Sequence, residues 1–326
     1  MAKRNPLYDF KWCPGCGDFG VKVALEQALA GRMAETGASI ENTVVVAGIG
    51  CSGNMVHMME GPQPFGIHGI HGRALPIAYG IKSARPDLNV IVVAGDGDFL
   101  SIGAEHIGPQ ARRNLDITAV IMDNGIYGLT KGQASPTTEL NVVTSTTRWG
   151  KLDEKMNPFL FYLGAGVPYL TSQLSSRVKE LAKDIRTAMD YPGFSVVHVQ
   201  SPCTTYNDTY SILKGDEKKG IEPLAFPIAE DHDSTNITAA ADLVRGRRIP
   251  IGLIYRREGD SVPAHQRLSD AKANANIEQA SVEKLLQAMT IASRRVEYGP
   301  PEGGRNRSRP PSLFPAAAGT AVRSRA

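Results

Sequence analysis

Four short runs of apolar, largely β-branched residues recur along this chain. The runs are residues 43–49, 89–94, 117–122 and 194–199. Each has the length of a strand and no polar alternation, which is typical of strands that are buried on both faces. Because segments with helical periodicity separate them, the pattern predicts an α/β fold, a doubly wound, mostly parallel sheet with helices on both faces.

The segments between the strand candidates carry the helical signals. Asp18 is the expected N-cap of the first helix, and Gly108-Pro109 should kink or restart the third. Residues 131–170, rich in Thr, Gly and Pro, predict a long functional loop, and one late strand is expected at 249–255. The helices are predicted at residues 19–35, 72–85, 102–113 and 174–189.

The composition is that of an ordinary globular protein. The chain has 326 residues, of which 42% are hydrophobic and four are cysteines. So few cysteines do not build a disulfide scaffold, the first ten residues lack an apolar secretory core, and the apolar runs are too short to span a bilayer. We therefore expect a cytoplasmic protein with no membrane partner.

The net charge of +3 is concentrated at the C-terminal end. Residues 299–326 contain five arginines and one glutamate, which leaves the rest of the chain at −1. This tail lacks apolar periodicity, which favours a solvated terminus over an arm for nucleic acid or an acidic partner, so we expect no nucleic-acid partner.

The expected division of the chain is an α/β domain at 1–225, an extension that packs on it at 226–292 and a disordered basic tail at 293–326.

Residues with chemical potential follow all four strand candidates. In parallel sheets, ligands bind outside the carboxyl ends of the strands. The coincidence of four such motifs with four strand ends therefore predicts one site at that edge. The motifs are Gly50-Cys51, Gly95-Asp96-Gly97, Asp123-Asn124 and Cys203.

Two of these motifs have the chemistry of a magnesium–diphosphate site. Asp96 and Asn124 offer the hard oxygen ligands that Mg²⁺ shares with phosphate, and a backbone carbonyl of the turn at 125–128 can complete the set. Gly97 and Asp98 are expected to open a helix whose N–H groups face an anion. The spacing resembles the thiamine diphosphate signature, although Asp123 stands where that signature has asparagine and adds a second acid.

The four cysteines, Cys13, Cys16, Cys51 and Cys203, form the second chemical pattern. Thiolates bind [4Fe–4S] clusters in fours, and C-P-G-C brings two sulfurs to one turn. A tetrahedral Zn²⁺ site would use the same ligands. A C-x-x-C redox pair, or unliganded buried thiols at Cys51 and Cys203, are the other readings of these residues.

Taken together, the motifs resemble one family, the β-subunits of the two-subunit 2-oxoacid:ferredoxin oxidoreductases of the 2-oxoglutarate type. The resemblance covers roughly residues 6–255. It implies a thiamine-diphosphate-binding fold of the pyrophosphate type for the domain at 1–225. The matching stretches are W-C-P-G-C-G at 12–17, G-I-G-C-S-G at 48–53, H-G-I-H-G-R-A-L-P at 68–76, A-G-D-G-D at 94–98, D-N-G-I-Y-G-L-T-K-G-Q-A-S-P-T at 123–137 and S-P-C at 201–203.

The resemblance also implies roles for individual residues. The four cysteines match the cluster ligands, and Asp96, Asn124 and the carbonyl of Ile126 match the Mg²⁺ ligands. His71 matches a histidine near the reacting end, and Asn54 stands where relatives often carry a cation that can engage the substrate carboxylate. The positions that match the lining of the thiamine cofactor are Ile49, Gly50, Cys51, Ser52, Gly95, Gly97, Asp98, Gly128 and Leu129.

The family's activity is oxidative decarboxylation of a 2-oxoacid to acyl-CoA and CO₂, with electrons passed through the cluster to ferredoxin. The resemblance favours 2-oxoglutarate, with pyruvate or generic 2-oxoacid specificity as alternatives. A non-redox thiamine-dependent decarboxylase subunit and a zinc-stabilised binding protein are the rival readings. No duplicate α/β unit is evident in the sequence, so we expect an α-subunit to supply the pyrimidine-binding domain and the catalytic glutamate, in an α₂β₂ assembly.

Overall fold

All five predicted strands, including the late one at 249–255, form in the computed structural model, which describes residues 12–259, 262–274 and 281–289. They lie in an eight-stranded sheet, and two further short strands form a separate hairpin. The strands are β1 (Thr43–Ala47), β2 (Phe65–His68), β3 (Asn89–Gly95), β4 (Ile117–Asp123), β5 (Ile126–Tyr127), β6 (Gln133–Ala134), β7 (Tyr169–Leu174), β8 (Ser195–Gln200), β9 (Ala225–Pro227) and β10 (Ile249–Arg256).

Helices precede, separate and follow these strands. A π-helical turn at Asp98–Ile102 and a 3₁₀ turn at Ala104–His106 lead into the helix that follows β3. Three other 3₁₀ turns lie at Ile40–Asn42, Ser52–Asn54 and Glu217–Lys219. The helices are α1 (Asp18–Thr36), α2 (Met55–Met58), α3 (Ala74–Ala84), α4 (Ile107–Arg113), α5 (Pro158–Gly164), α6 (Val178–Asp190), α7 (Tyr210–Lys214), α8 (Ile237–Val244), α9 (Ala264–Asn274) and α10 (Val282–Met289).

The order of the sheet is β2-β1-β3-β4-β8-β7-β10-β9. Every neighbouring pair is parallel except β7 and β10, which are antiparallel. Four of the strands predicted from the sequence, β1, β3, β4 and β8, are therefore neighbours in the centre of the sheet. Their registers are aligned, since Met122 of β4 pairs with Gly95 of β3 and with Val199 of β8. The carboxyl ends of these strands consequently meet at one edge.

Both faces of the sheet are covered, as the apolar runs predicted. Along β4, Ile117, Ala119 and Ile121 pack in one core, and Val120 and Met122 pack in the other. The first core includes side chains of α3, α4, α5 and α8, and the second includes side chains of α1, α2 and α6. Alternate residues of one strand thus bury apolar surface on opposite faces, which confirms the doubly wound α/β prediction.

Five strands and several helices were not predicted. The missed strands are β2, β5, β6, β7 and β9. The helix expected at 174–189 begins instead at Val178, because residues 169–174 form β7. α5 lies within the segment expected to be irregular. Its N-cap is Asn157, whose side chain accepts from the backbone N–H groups of Phe159 and Leu160, and Pro158 occupies the first turn.

Two predictions at helix starts have different outcomes. The chain does restart a helix near Gly108-Pro109, because α4 begins at Ile107 and holds Pro109 in its first turn. The prediction that Asp18 is the N-cap of α1 is wrong. Asp18 is a fully buried residue inside the first turn, and its carboxylate accepts hydrogen bonds from side chains of two distant segments.

The chain divides into two compact units, residues 1–275 and residues 276–326. The sheet continues past residue 225, since β9 and β10 are its last two strands. The expected boundary at 225 thus falls within the sheet, and the disordered tail expected at 293–326 lies outside the described residues. None of the helices in the described ranges is both long enough and apolar enough to cross a membrane.

Leu25→Ala should lower the free energy of unfolding by about 2–5 kcal/mol, because its removal leaves a cavity between α1 and the sheet. Leu25 is fully buried, whereas Val23 on the same helix is 38% exposed. The matched variant Val23→Ala should therefore change the free energy of unfolding by no more than about 0.5 kcal/mol. Urea unfolding of the purified chain measures both values, and equal losses would contradict the orientation of α1.

Candidate active site

A cavity of about 410 Å³ opens at the carboxyl edge of β1, β3 and β4. Around it lie the nine residues predicted to line the thiamine cofactor, the three predicted Mg²⁺ ligands and His71. Three further residues that the sequence did not single out, Tyr127, Thr130 and Gln133, complete it. The lining is Ile49, Gly50, Cys51, Ser52, His71, Gly95, Asp96, Gly97, Asp98, Asn124, Ile126, Tyr127, Gly128, Leu129, Thr130 and Gln133.

The glycines of this site allow close packing that no other residue permits. A Cβ on Gly97 would lie 2.2 Å from the ring of Tyr127, whose hydroxyl donates to the carbonyl of Gly97 at 3.0 Å. A Cβ on Gly48 would lie 1.8 Å from Oδ2 of Asp98. Gly97 lines the cavity, and its missing side chain is what allows this close approach of Tyr127.

Asp96 and Asn124 come from neighbouring strand ends and are in contact. The backbone N–H of Asn124 donates to Oδ1 of Asp96 at 3.4 Å, and Thr137 Oγ1 donates to Oδ2 at 2.6 Å. The side-chain oxygen of Asn124 accepts from the N–H of Ile126 at 3.0 Å. Burial, with repulsion from Asp123, raises the pKa of Asp96 to about 7. A divalent cation would relieve this cost, so the donor set fits Mg²⁺.

Asp123, the second acid of the site, has a partner of its own. Its Oδ2 lies 3.1 Å from Nε2 of the fully buried His198, and its Oδ1 accepts from the N–H of Gly125 at 3.0 Å. Although burial raises the pKa of Asp123, the hydrogen bond and charge of His198 bring it below its usual value. Thr137 Oγ1 is also 2.7 Å from Oδ1 of Asp123. Since a hydroxyl has one hydrogen, Thr137 can donate to Asp96 or to Asp123 but not to both.

Asp98 joins the two loops that carry Ile49 and His71. Its Oδ1 accepts from the N–H groups of Ile49 at 3.0 Å and Gly72 at 2.8 Å. Nδ1 of His71 lies 3.0 Å from the same oxygen, close enough for an ion pair but not aligned as a hydrogen bond. Burial raises the pKa of Asp98 against these contacts. The structure thus brings His71 to the cavity wall, held beside a buried carboxylate.

Asn54 is not brought to this cavity. It ends the 3₁₀ turn at Ser52–Asn54, is 5% exposed and does not line the cavity. The catalytic role expected for Asn54 from the resemblance therefore has no support in the site's geometry.

The four cysteines lie in one neighbourhood next to this cavity. The N–H of Cys16 donates to the carbonyl of Cys13 at 3.0 Å, which closes the C-P-G-C turn, and the N–H of Gly17 donates to the carbonyl of Pro202 at 3.0 Å. The sulfurs of Cys51 and Cys203 lie 3.5 and 3.7 Å from the point where a Cβ on Gly128 would stand. Gly128 also lines the cavity, so the backbone there separates the cavity from the sulfurs.

The electrostatics of the thiols show the same proximity. Burial, then the charge of Asp18, raise the pKa of Cys16 far above its usual value, and repulsion from Cys51 and Cys203 adds to the effect. Burial and Asp18, followed by repulsion from Cys203 and Cys13, raise the pKa of Cys51 to about 12. A cationic group that binds all four thiolates would offset these repulsions.

The four thiols are a donor set that suits either a four-iron cluster or Zn²⁺. In the part of the chain that the structure describes, no three His, Cys, Asp or Glu side chains are arranged to hold a single metal ion.

Several site residues were missed by sequence reasoning. Thr137 was quoted only as part of a motif, and His198 reads as a core position of a buried strand. Asp18 reads as an N-cap because an acid at a helix start is typical of one. Tyr127, Thr130 and Gln133 lie in the matched stretch at 123–137, which was the one signal that could have drawn attention to them.

Comparison with known proteins agrees with this geometry. Residues 48–199 match the C-terminal TPP-binding domain of thiamine pyrophosphate enzymes. A 2-oxoacid:ferredoxin oxidoreductase β-subunit from a Sulfolobus species is 36% identical over 294 residues, which cover 88% of this chain and 94% of the relative. This chain belongs to the β-subunits of the 2-oxoacid:ferredoxin oxidoreductases.

Further relatives of this β-subunit include 2-oxoglutarate enzymes. The 2-oxoglutarate oxidoreductase subunit KorB of Mycobacterium tuberculosis is 40% identical over 226 residues, which cover 67% of this chain and 59% of the relative. The solved 2-oxoglutarate:ferredoxin oxidoreductase of Magnetococcus marinus, with 2-oxoglutarate, coenzyme A and succinyl-CoA bound, has a TM-score of 0.76 and 36% identity over 87% of this chain and 93% of that one. The predicted family, thiamine-diphosphate fold and oxidoreductase class are confirmed.

Gly97→Ala should weaken thiamine diphosphate binding by about tenfold or more, because the added methyl overlaps the ring of Tyr127 and overpacking costs about 1–3 kcal/mol. Gly80→Ala is the matched control, since a Cβ there meets nothing within 4 Å. Calorimetric titration of the purified protein with thiamine diphosphate and Mg²⁺ measures the affinity. An unchanged affinity in Gly97→Ala would contradict the close approach described above.

The cofactor-free chain should lose stability as pH rises from about 5 to about 7, because the pKa of Asp96 is about 7 in the fold and about 3.9 in an unfolded chain. A raised pKa means that the protonated carboxyl stabilises the fold at low pH, and that this contribution is lost on ionisation. Urea unfolding across this range measures the slope, which Asp96→Asn should make shallower. A slope that is unchanged in the variant would contradict the assignment.

Proposed function

We propose that this β-subunit holds thiamine diphosphate, Mg²⁺ and a [4Fe–4S] cluster and takes part in the oxidative decarboxylation of a 2-oxoacid, with 2-oxoglutarate favoured. The observation that carries the proposal is the adjacency of the cavity and the cysteine group. Cys51 belongs to both, and Gly128 lies against Cys51 and Cys203 while it lines the cavity. One backbone segment thus stands between a thiamine site and a group of four thiols.

The residues around the cavity have complementary roles in this proposal. Asp96, the side chain of Asn124 and the carbonyl of Ile126 would hold Mg²⁺, and the backbone at Gly97, which lines the cavity, would face the diphosphate. Bound thiamine diphosphate supplies the electron sink for loss of CO₂ from the 2-oxoacid. Ile49 and Leu129 are the apolar part of the wall and would exclude water from the reacting end.

His71 is the proposed proton-handling group of this chain. It lines the cavity, and its Nδ1 is held 3.0 Å from Asp98, which is buried and fixed by two backbone donors. Such a carboxylate orients the ring, so that Nε2 is the nitrogen free to meet a substrate or cofactor atom.

The cysteine group would hold the cluster, which accepts electrons and passes them on. Cys13 is exposed, whereas Cys203 is 9% exposed. Cys51 would thus hold the cluster on the cavity side and Cys13 on the exposed side, where ferredoxin would dock.

The partners follow from the β-subunit family. An α-subunit would supply the pyrimidine-binding domain and its glutamate, in an α₂β₂ assembly. The bound ligands of the Magnetococcus marinus enzyme support 2-oxoglutarate and coenzyme A as substrates. Of the residues that line the cavity, His71 is the one that can carry a positive charge, so the α-subunit would supply other cations for the substrate's carboxylates. Cytoplasmic location stays a prediction.

Co-purification with the α-subunit tests the proposal. The complex should contain about four iron atoms per β-chain and should reduce viologen with 2-oxoglutarate and coenzyme A faster than with pyruvate. The β-chain alone should be inactive. Absence of iron would contradict the proposal. A preference for pyruvate would overturn only the assignment of 2-oxoglutarate as the favoured substrate.

Cys203→Ser tests the link between the two sites. The variant complex should lose iron and viologen reduction yet bind thiamine diphosphate as tightly as the wild type, since Cys203 does not line the cavity. Thr205→Ala, two residues away and exposed, is the matched control. Full iron content in Cys203→Ser would show that Cys203 is not a ligand of the cluster.

A further inference from the structure

Asp18 lies at the centre of the cysteine group and has no role in the function proposed so far. It is fully buried, two residues after Cys16, in the first turn of α1. Its Oδ1 accepts from Ser201 Oγ at 2.5 Å, and its Oδ2 accepts from Ser52 Oγ at 3.1 Å.

These two hydrogen bonds connect every segment that carries a cysteine. Ser52 directly follows Cys51, and Ser201 precedes Cys203 by two residues. Asp18 itself is held next to the C-P-G-C turn by α1. A single carboxylate therefore joins three chain segments, of which the last lies more than a hundred residues from the other two. In this way it fixes how far apart their sulfurs lie.

The chemistry of these contacts is unusual for a structural residue. Both partners are serine hydroxyls, and each can donate to one oxygen of Asp18. A buried negative charge without a cation is costly. A bridge between two serine hydroxyls would not by itself require a charged group. The charge of Asp18 nevertheless acts on Cys16 and Cys51, where it adds to the repulsion between the thiolates.

We propose that Asp18 is a positioning residue for the cysteine group, which sets the spacing of its three segments and places a negative charge beside the cluster. The inference rests on the proposed function, in which the four cysteines hold a [4Fe–4S] cluster. A fixed negative charge disfavours the addition of an electron to the cluster, because potentials depend on nearby charge and hydrogen bonding. Asp18 therefore makes the reduced cluster a stronger reductant toward its acceptor.

Asp18→Asn in the complex with the α-subunit separates charge from geometry. Asparagine keeps the shape and both bridges, because one serine hydroxyl can accept from the amide while the other donates. The variant should retain the wild-type iron content, and its midpoint potential, measured by redox titration followed by electron paramagnetic resonance, should shift to a more positive value.

Asp18→Ala removes the bridge altogether. It should lose iron to a chelator about tenfold faster than the wild type, as expected when a group that orients metal ligands is removed. If this variant does not fold, Ser201→Ala removes one arm of the bridge, keeps the charge, and should also lose iron faster. Asp184→Asn is the matched control, since Asp184 is a half-buried acid on α6 that accepts from Gln173 of β7. It should change neither the potential nor the rate of iron loss.

The outcomes distinguish this inference from the proposed function. A wild-type complex without an iron–sulfur signal would overturn the proposed function. A wild-type cluster whose potential is unchanged in Asp18→Asn, or whose iron is retained equally in Asp18→Ala, would overturn the role of Asp18 alone. Loss of iron from a folded Asp18→Asn complex would also overturn it, because that variant keeps the bridges.

Discussion

Parallel pairing of β1, β3, β4 and β8 is the constraint on which the rest of the structure depends. In-register pairing of Gly95, Met122 and Val199 brings the carboxyl ends of three of these strands to one level, and the fourth follows through β3. Residues far apart in the chain then share one edge without any special contact between them. The hydrophobic burial of these strands on both faces is therefore what supports a site made almost entirely of loops.

Buried carboxylates characterise this edge. Asp96, Asp98 and Asp18 are each at most 3% exposed, and burial raises the pKa of all three. Histidines lie beside two of the acids of this edge, His71 beside Asp98 and His198 beside Asp123. A fold that retains several buried acids does so at a cost in stability, and such a cost is typical of sites whose charges are completed by a ligand.

The sequence predicted what depends on local pattern and missed what depends on distant partners. The β-branched runs predicted β1, β3, β4 and β8, but Thr171, Ser172 and Gln173 of β7 were not predicted as a strand, although all three are buried. Thr171 and Gln173 find partners on other elements, since Thr171 Oγ1 donates to the carbonyl of Gly252 and Gln173 Nε2 donates to Asp184. Asp18 was misread for the same reason, since Ser52 and Ser201 cannot be recognised as its partners from spacing. The cavity lining was predicted by resemblance to whole motifs.

The position of Gly128 has a consequence for how such an enzyme can diversify. Its missing side chain leaves Cys51 and Cys203 within 3.7 Å of the Cβ position, with the cavity on the other side of the same backbone. In the proposed function, the cofactor site and the cluster would thus be separated at Gly128 by one peptide. Substitutions elsewhere on the rim, for instance at Leu129 or Thr130, would then reshape the pocket for a different acid while the distance between the two sites stays the same.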